Sequence, residues 1–397
     1  MIIGDLLWFV AVTGTAAVFL NIIGADLYDI RQVNQRRRRN LHPYTKQYRH
    51  RPLVSVLVSV HNDESFIADC LESLIKSSYR KLEIIVADNG STDATKQVVR
   101  RYMAENPKRA IKLYARRKPG NLVECLSYAN KKYVSGELVM LLDGHSQPAK
   151  AAISRAVMHF NADDSLGGLS VHTQPRKAYK ATSLLQSFSL LLKNRVQKAN
   201  GFFNSAYSGG HEPIIYRRPI LAELLRSKRL ASPLITLGDK KLRLNYASDV
   251  VMYCHALSFG GLVKQYYQEQ LWRIRLLIQA RGMFLTDNER FSRRFTHLRL
   301  PLAAVFSLAA FIAPLLLAYF TYLAVSLHQP EFLVISWAGL VLFLLFAIWE
   351  DEQLSLLQKA KYIALMPISY GWFYLMVFLQ YLVLLTSWRR VDLESQV

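Results

Sequence analysis

Residues 52–95 read PLVSVLVSVHNDESFIADCLESLIKSSYRKLEIIVADNGSTDAT, and the periodicity of this stretch decides the fold. The β-branched run from Pro52 stops at the polar step His61-Asn62-Asp63-Glu64. IADCLESLIKSSY at 67–79 then repeats apolar residues at helical spacing. LEIIVAD begins a second apolar strand at 82, which stops at Asn89-Gly90-Ser91-Thr92-Asp93. The unit recurs: TKQVVRRYMAEN at 95–106 reads as helix, KLYARR at 112–117 as strand, GNLVECLSYANKKYV at 120–134 as helix and ELVMLLDG at 137–144 as strand. Strands alternating with helices predict a parallel α/β sheet covered on both faces. Ligands in such sheets bind beyond the carboxyl ends of the strands. HNDE, DNGSTD and Asp143-Gly144-His145 all fall there. Alone, DNGSTD is also an ordinary turn in which Ser91, Thr92 or Asp93 caps the next helix.

Around this block the composition changes. The chain has 397 residues, 51% of them hydrophobic, with 50 Lys and Arg against 29 Asp and Glu. Four segments, 2–27, 300–327, 332–349 and 362–388, are long and apolar enough to be considered as membrane spans. The first lacks the basic start and small-residue cleavage pattern of a signal peptide and reads as a retained anchor. RRRRN at 36–40 and RFSRRFTHLR at 290–299 flank the apolar segments, which places the block between them on the cytoplasmic side. These bases do not interleave with aromatics along a groove, so a nucleic-acid partner is not expected. Cys70, Cys125 and Cys254 have no metal-ligand spacing and read as reduced core thiols.

The expected organisation is an anchor at 1–30, a basic linker at 31–51, an α/β domain at 52–285, a basic segment at 286–299, a membrane region of about three spans at 300–388 and a tail at 389–397. SLLQSFSLLLKNRVQK at 183–198, with Leu184, Phe188 and Leu191 on one side, reads as an amphipathic interface helix. The stretch after QEQLW at 268–272, with Leu271, Ile274 and Ile278 on one stripe, reads as a second.

The order and spacing of HNDE, DNGSTD and DGH resemble glycosyltransferase family 2, over about residues 52–285. That family implies a GT-A, Rossmann-like nucleotide-sugar domain. By this resemblance His61, Asn62, Glu64, Asp88, Asn89 and Asp143 line the nucleotide site, with Asp88 accepting a hydrogen bond from the base. Asp143 and His145 stand where the family has its D-x-D metal motif, and imply Mg²⁺ or Mn²⁺. Hard carboxylate oxygens suit Mg²⁺, while an imidazole tilts the preference toward Mn²⁺. Asp239, in TLGDKKLRL, stands where the family has its general base, although the preceding Glu is absent. Asp249 is the fallback. Gly210, His211 and Glu212 in SGGHEPIIYRR, and Gln268 and Trp272 in QEQLW, stand where the acceptor is held. A tight turn into a strand explains SGGHEPIIYRR equally well. The family often has Gly-Lys where this chain has Gly120-Asn121, so a phosphate-facing cation is missing or comes from elsewhere.

The resemblance implies an inverting, metal-dependent membrane enzyme. It would move a sugar from a nucleoside diphosphate, uridine being the common base, to a lipid-linked or growing glycan in bacterial capsule or exopolysaccharide assembly. A bacterial inner-membrane location and a possible homo-oligomer follow from it. The alternatives are a processive polysaccharide synthase and a catalytically silent homologue with an assembly role.

Overall fold

The computed structural model describes residues 22–34, 50–176, 181–202, 213–227 and 242–267, with shorter stretches between 318 and 382. Its centre is an eight-stranded mixed sheet in the order β3-β2-β1-β4-β7-β6-β8-β5. The strands are β1 (Val54–Val60), β2 (Leu82–Asp88), β3 (Ala110–Ala115), β4 (Leu138–Asp143), β5 (Ser146–Pro148), β6 (Leu166–Pro175), β7 (Ile214–Arg217) and β8 (Arg243–Cys254). The expected parallel block is present: β1 lies between β2 and β4, and β3 extends it beyond β2. Of the other half the sequence pattern offered only a strand within SGGHEPIIYRR, which is β7; it runs antiparallel to both β4 and β6, and β5 runs antiparallel to β8.

Alternation within β1 shows why its run is apolar throughout. Val54, Val56, Val58 and Val60 face one core with α2 (Ile67–Ile75) and α5 (Ala152–Ala162). Leu57 faces the other, with α4 (Leu122–Tyr133) and α7 (Arg218–Arg226). Burying each such side chain contributes about 1.5–3 kcal/mol. α3 is Thr95–Glu105, close to the expected span. α2 is shorter than 67–79, because both the amide and the hydroxyl of Ser78 donate to Lys150 O at 2.9 Å and carry the chain out of the helix. Cys70 and Cys125 are buried free thiols and Cys254 is half-buried, as core cysteines should be. Burial pushes the Cys125 thiol up to about 11.

The amphipathic segment at 183–198 is helical, as α6 (Ala181–Phe202), but its apolar stripe is not left for a lipid surface. Phe188 and Leu191 are buried against Leu344, Ile348, Tyr362 and Met366, and Leu184 packs beside them. The stripe is satisfied by a later part of the same chain, which spacing within the helix does not reveal. The other side of α6 is polar and also covered. Asn194 exchanges hydrogen bonds with the Thr173 backbone (2.9 and 3.4 Å). Lys198 pairs with Asp29 at 2.7 Å. Asp29 belongs to α1 (22–34), whose Tyr28 is buried and donates to Tyr246 O at 2.7 Å. Among the described residues no helix is long and apolar enough to cross a membrane. Most of 2–27, 300–327, 332–349 and 362–388, and the segment from Gln268 that includes Ile274 and Ile278, lie outside the described residues.

Candidate functional site

The register of the parallel strands sets the site. Val60 is level with Asp88 and Ser59 with Asp143, so the segments after β1, β2 and β4 leave the sheet at one edge. Backbone hydrogen bonds tie them: Asn89 N donates to Val60 O (2.9 Å) and Gly144 N to Ser59 O (3.0 Å). His61, Asn62, Glu64, Asp88, Asn89, Asp143 and His145 are thereby gathered from three separated stretches.

On the β1–β2 side the polar residues lock two turns together. Asn62 adopts φ 57°, a left-handed conformation that Asn tolerates better than most residues. Its Oδ1 accepts from Thr92 N at 2.9 Å, and its amide donates to Ser91 Oγ at 3.0 Å. Glu64 accepts from Ala94 N at 2.8 Å, and Asp93 accepts from Thr95 N at 3.0 Å. The amino end of α3 is thus capped by Asp93 and by a carboxylate from the neighbouring loop. Asp88 is fully buried and accepts from both the amide and the hydroxyl of Ser91. It braces the turn from inside, and a base would reach it only if that turn opened. Exposed His61 and Asn62, with Thr92, form the outer surface, His61 Nδ1 lying 3.1 Å from Asn89 O.

Asn89 joins this surface to the β3 end. Its Nδ2 donates to Gly120 O at 2.8 Å and its Oδ1 accepts from Gly120 N at 3.3 Å. Between them Gly90 has φ 77° and no room for a side chain: a Cβ would lie 2.4 Å from both Lys118 C and Pro119 N. Asn121, standing where the family often has Lys, is the N-cap of α4 and accepts from Val123 N at 2.8 Å. A cation nevertheless stands here. The half-buried Arg116 guanidinium lies against Gly120 and donates to Asn121 O at 3.1 Å.

On the β4 side Asp143 Oδ1 accepts from Ser146 Oγ at 2.7 Å. His145 Nε2 lies 3.3 Å from Asp63 Oδ1, and Asp63 Oδ2 accepts from His61 N at 2.9 Å. Burial pushes the Asp63 carboxyl up; His145 and the His61 amide oppose that, while Asp143 and Asp93 add to it. Phe66 packs on His145 with ring centroids 4.6 Å apart, and on its other neighbour His255 at 4.8 Å. His255 Nε2 is 3.4 Å from Asp69 Oδ2, and burial pulls its pKa below the usual value. Arg176 bridges Asp69 and Gln147 at 3.4 and 2.6 Å. Sequence reasoning missed Arg116, Phe66, Asp69, Arg176 and His255, and quoted Asp63 without giving it a task. Phe66, Asp69, Arg176 and His255 come together only because β5 and β6 both pair with β8 and α2 packs against β5.

Among the described residues no three His, Cys, Asp or Glu side chains are grouped as a metal cage. Asp143 and His145 still fit a cation whose remaining ligands come from a diphosphate, the usual arrangement for Mg²⁺ with one or two protein ligands. Asp239, Gly210, His211, Glu212, Gln268 and Trp272 lie outside the described residues. The segment after Glu212 is the strand β7, and Arg217 in it donates to Leu166 O at 2.7 Å. The fallback base, Asp249, is among the described residues. It is buried within β8 and lies 2.7 Å from the buried His159 Nε2 of α5, away from the strand ends.

Residues 55–225 match the family model described as Glycosyl transferase family 2. The chain is 27% identical over 246 residues to the glycosyltransferase AglE of Haloferax volcanii, covering 56% of this chain and 75% of that protein. It is 35% identical over 88 residues to EpsE of Bacillus subtilis, covering 21% of this chain and only 31% of that one. Among solved structures it resembles the mannosyltransferase PcManGT of Pyrobaculum calidifontis, in complex with GDP-Man and Mn²⁺. That likeness covers 87% of this chain and 99% of the other, at 20% identity and a TM-score of 0.52. It shows a shared GT-A-like fold with a mixed sheet.

Proposed function

Because residues 55–225 belong to glycosyl transferase family 2, we propose that the chain is an inverting, metal-dependent glycosyltransferase using a nucleoside diphosphate sugar. The observation that carries this is the convergence of the β1, β2 and β4 ends on one edge, where His61, Asn62, Asp143 and His145 meet. The exposed rim of His61, Asn62 and Thr92 is suited to the nucleoside. Arg116 supplies the cation that Asn121 lacks and faces the diphosphate. Asp143 and His145 hold the divalent cation, Mg²⁺ or Mn²⁺. When bound, it stabilises the negative charge that builds on the departing diphosphate.

Asp239 takes the proton from the acceptor hydroxyl. The acceptor oxygen forms its bond to the anomeric carbon as the bond to the diphosphate oxygen breaks, and the nucleoside diphosphate leaves with the electron pair. Gly210, His211, Glu212, Gln268 and Trp272 hold the acceptor, which is lipid-linked or a growing polysaccharide. Bacterial capsule or exopolysaccharide assembly, with the domain at the cytoplasmic face of the inner membrane, agrees with the apolar segments and their basic flanks. The face of α1 turned away from the protein supports this, with Ile23, Leu27, Ile30 and Val33 all exposed.

The test is nucleotide release by the purified full chain against UDP- and GDP-sugars, with and without Mn²⁺ or Mg²⁺. Metal-dependent release is expected, and Asp239→Asn should bind donor but not turn it over. Donor binding without release, across the whole panel and several acceptors, would instead assign the chain an assembly role.

A further inference from the structure

Asp63 is an unexpected residue in this site. Its side chain is only 7% exposed, yet no Lys or Arg is found in an ion pair with it among the described residues. A carboxylate so placed is costly unless a neighbour makes use of it. Its surroundings aim it at His145. The Asp63 amide donates to Thr95 Oγ1 at 2.9 Å, which fixes its backbone. The His61 amide holds Oδ2 at 2.9 Å. Oδ1 is left 3.3 Å from His145 Nε2. Gly144 makes the approach possible, since a Cβ there would lie 2.9 Å from Asp63 Oδ2. Phe66 closes on the imidazole ring at 4.6 Å.

We propose that Asp63 is the positioning residue of His145: it keeps the proton on Nε2 and presents the Nδ1 lone pair to the cation. A carboxylate beside one ring nitrogen fixes the tautomer and raises the basicity of the other, and such partners are worth about 10–100-fold in metal affinity. Asp63 thereby compensates for an imidazole where the family has a second carboxylate. The proposal rests on the metal-dependent reading above and concerns how that site is built.

The probe is Mn²⁺, titrated by electron paramagnetic resonance into the full chain with UDP or GDP. Pulsed spectra report nitrogen coordination, so the readout does not depend on turnover. Wild type should bind Mn²⁺ and show a ¹⁴N signal that His145→Ala removes. Asp63→Ala should weaken Mn²⁺ binding about 10–100-fold and diminish the ¹⁴N signal. Asp63→Asn, which keeps a neutral acceptor of the same shape, should fall between the two. If the Ala variant does not fold, the Asn variant decides. The double variant Asp63→Ala/His145→Ala should bind no worse than His145→Ala alone. Unchanged affinity in the Asp63 variants overturns the proposal and leaves the metal site standing. An additive loss in the double variant makes Asp63 a ligand itself and also overturns it. Absence of Mn²⁺ binding by wild type overturns both the proposal and the metal-dependent reading.

Discussion

Replacing Gly90 by Ala tests how the site is held. At φ 77°, a residue with a Cβ pays about 1–2 kcal/mol for the left-handed conformation. The new methyl would also meet the Lys118–Pro119 peptide at 2.4 Å, and Lys118 O at 2.8 Å. These are backbone atoms, so relief requires the 116–120 segment to move. Overpacking of that kind costs about 1–3 kcal/mol. The sum is about 2–5 kcal/mol, against a typical domain stability of about 5–15 kcal/mol. Gly120→Ala is the control. Its Cβ would meet the tip of Arg116 at 2.7 Å, and that flexible side chain can swing away. The expected cost is within about 0.5 kcal/mol, as for an ordinary surface change. Urea unfolding followed by circular dichroism measures both. Donor titration should show that Gly90→Ala also weakens nucleotide binding, because the displaced segment carries the Asn89–Gly120 clamp and Arg116. Equal costs for the two variants, or a cost below about 1 kcal/mol for Gly90→Ala, would refute this account of the turn.

Glu83 gives a pH prediction. Its buried carboxylate accepts from Ser55 Oγ, Ser135 N and Gly136 N and pairs with Lys112 at 3.0 Å. Burial alone would raise its pKa, but these partners outweigh it and hold the group below its ordinary 4.5. A depressed carboxylate stabilises the fold above the unfolded-state value and loses that contribution as pH falls through the folded value. Wild-type stability should therefore drop as pH is lowered below about 4.5. Glu83→Gln should be less stable at pH 7 by about 1–3 kcal/mol and show a flatter acid limb in thermal melts. Arg116→Ala should raise the KM for donor with little change in melting temperature; an unchanged KM would remove Arg116 from the diphosphate site.

The sequence alone determined the parallel half of the sheet and the edge on which the site lies. Apolar runs such as VSVLVSV and LEIIVAD, alternating with helical segments, predict strands covered on both faces of a parallel α/β sheet, and polar residues appear where each strand leaves it. Local chemistry also marked Gly90 and Asp93, within DNGSTD, as turn formers. Tertiary structure decided what those residues do. Asp88, read as a base-facing acceptor, is buried and also braces its own turn, because Ser91 folds back onto it. The apolar stripe of α6 looked lipid-facing and is covered by residues more than 150 positions away. The pairing of Asp63 with His145, and the packing of His145 and His255 on the same Phe66 ring, join residues that follow different strands. Their meeting is set by strand order and register, which no local pattern encodes.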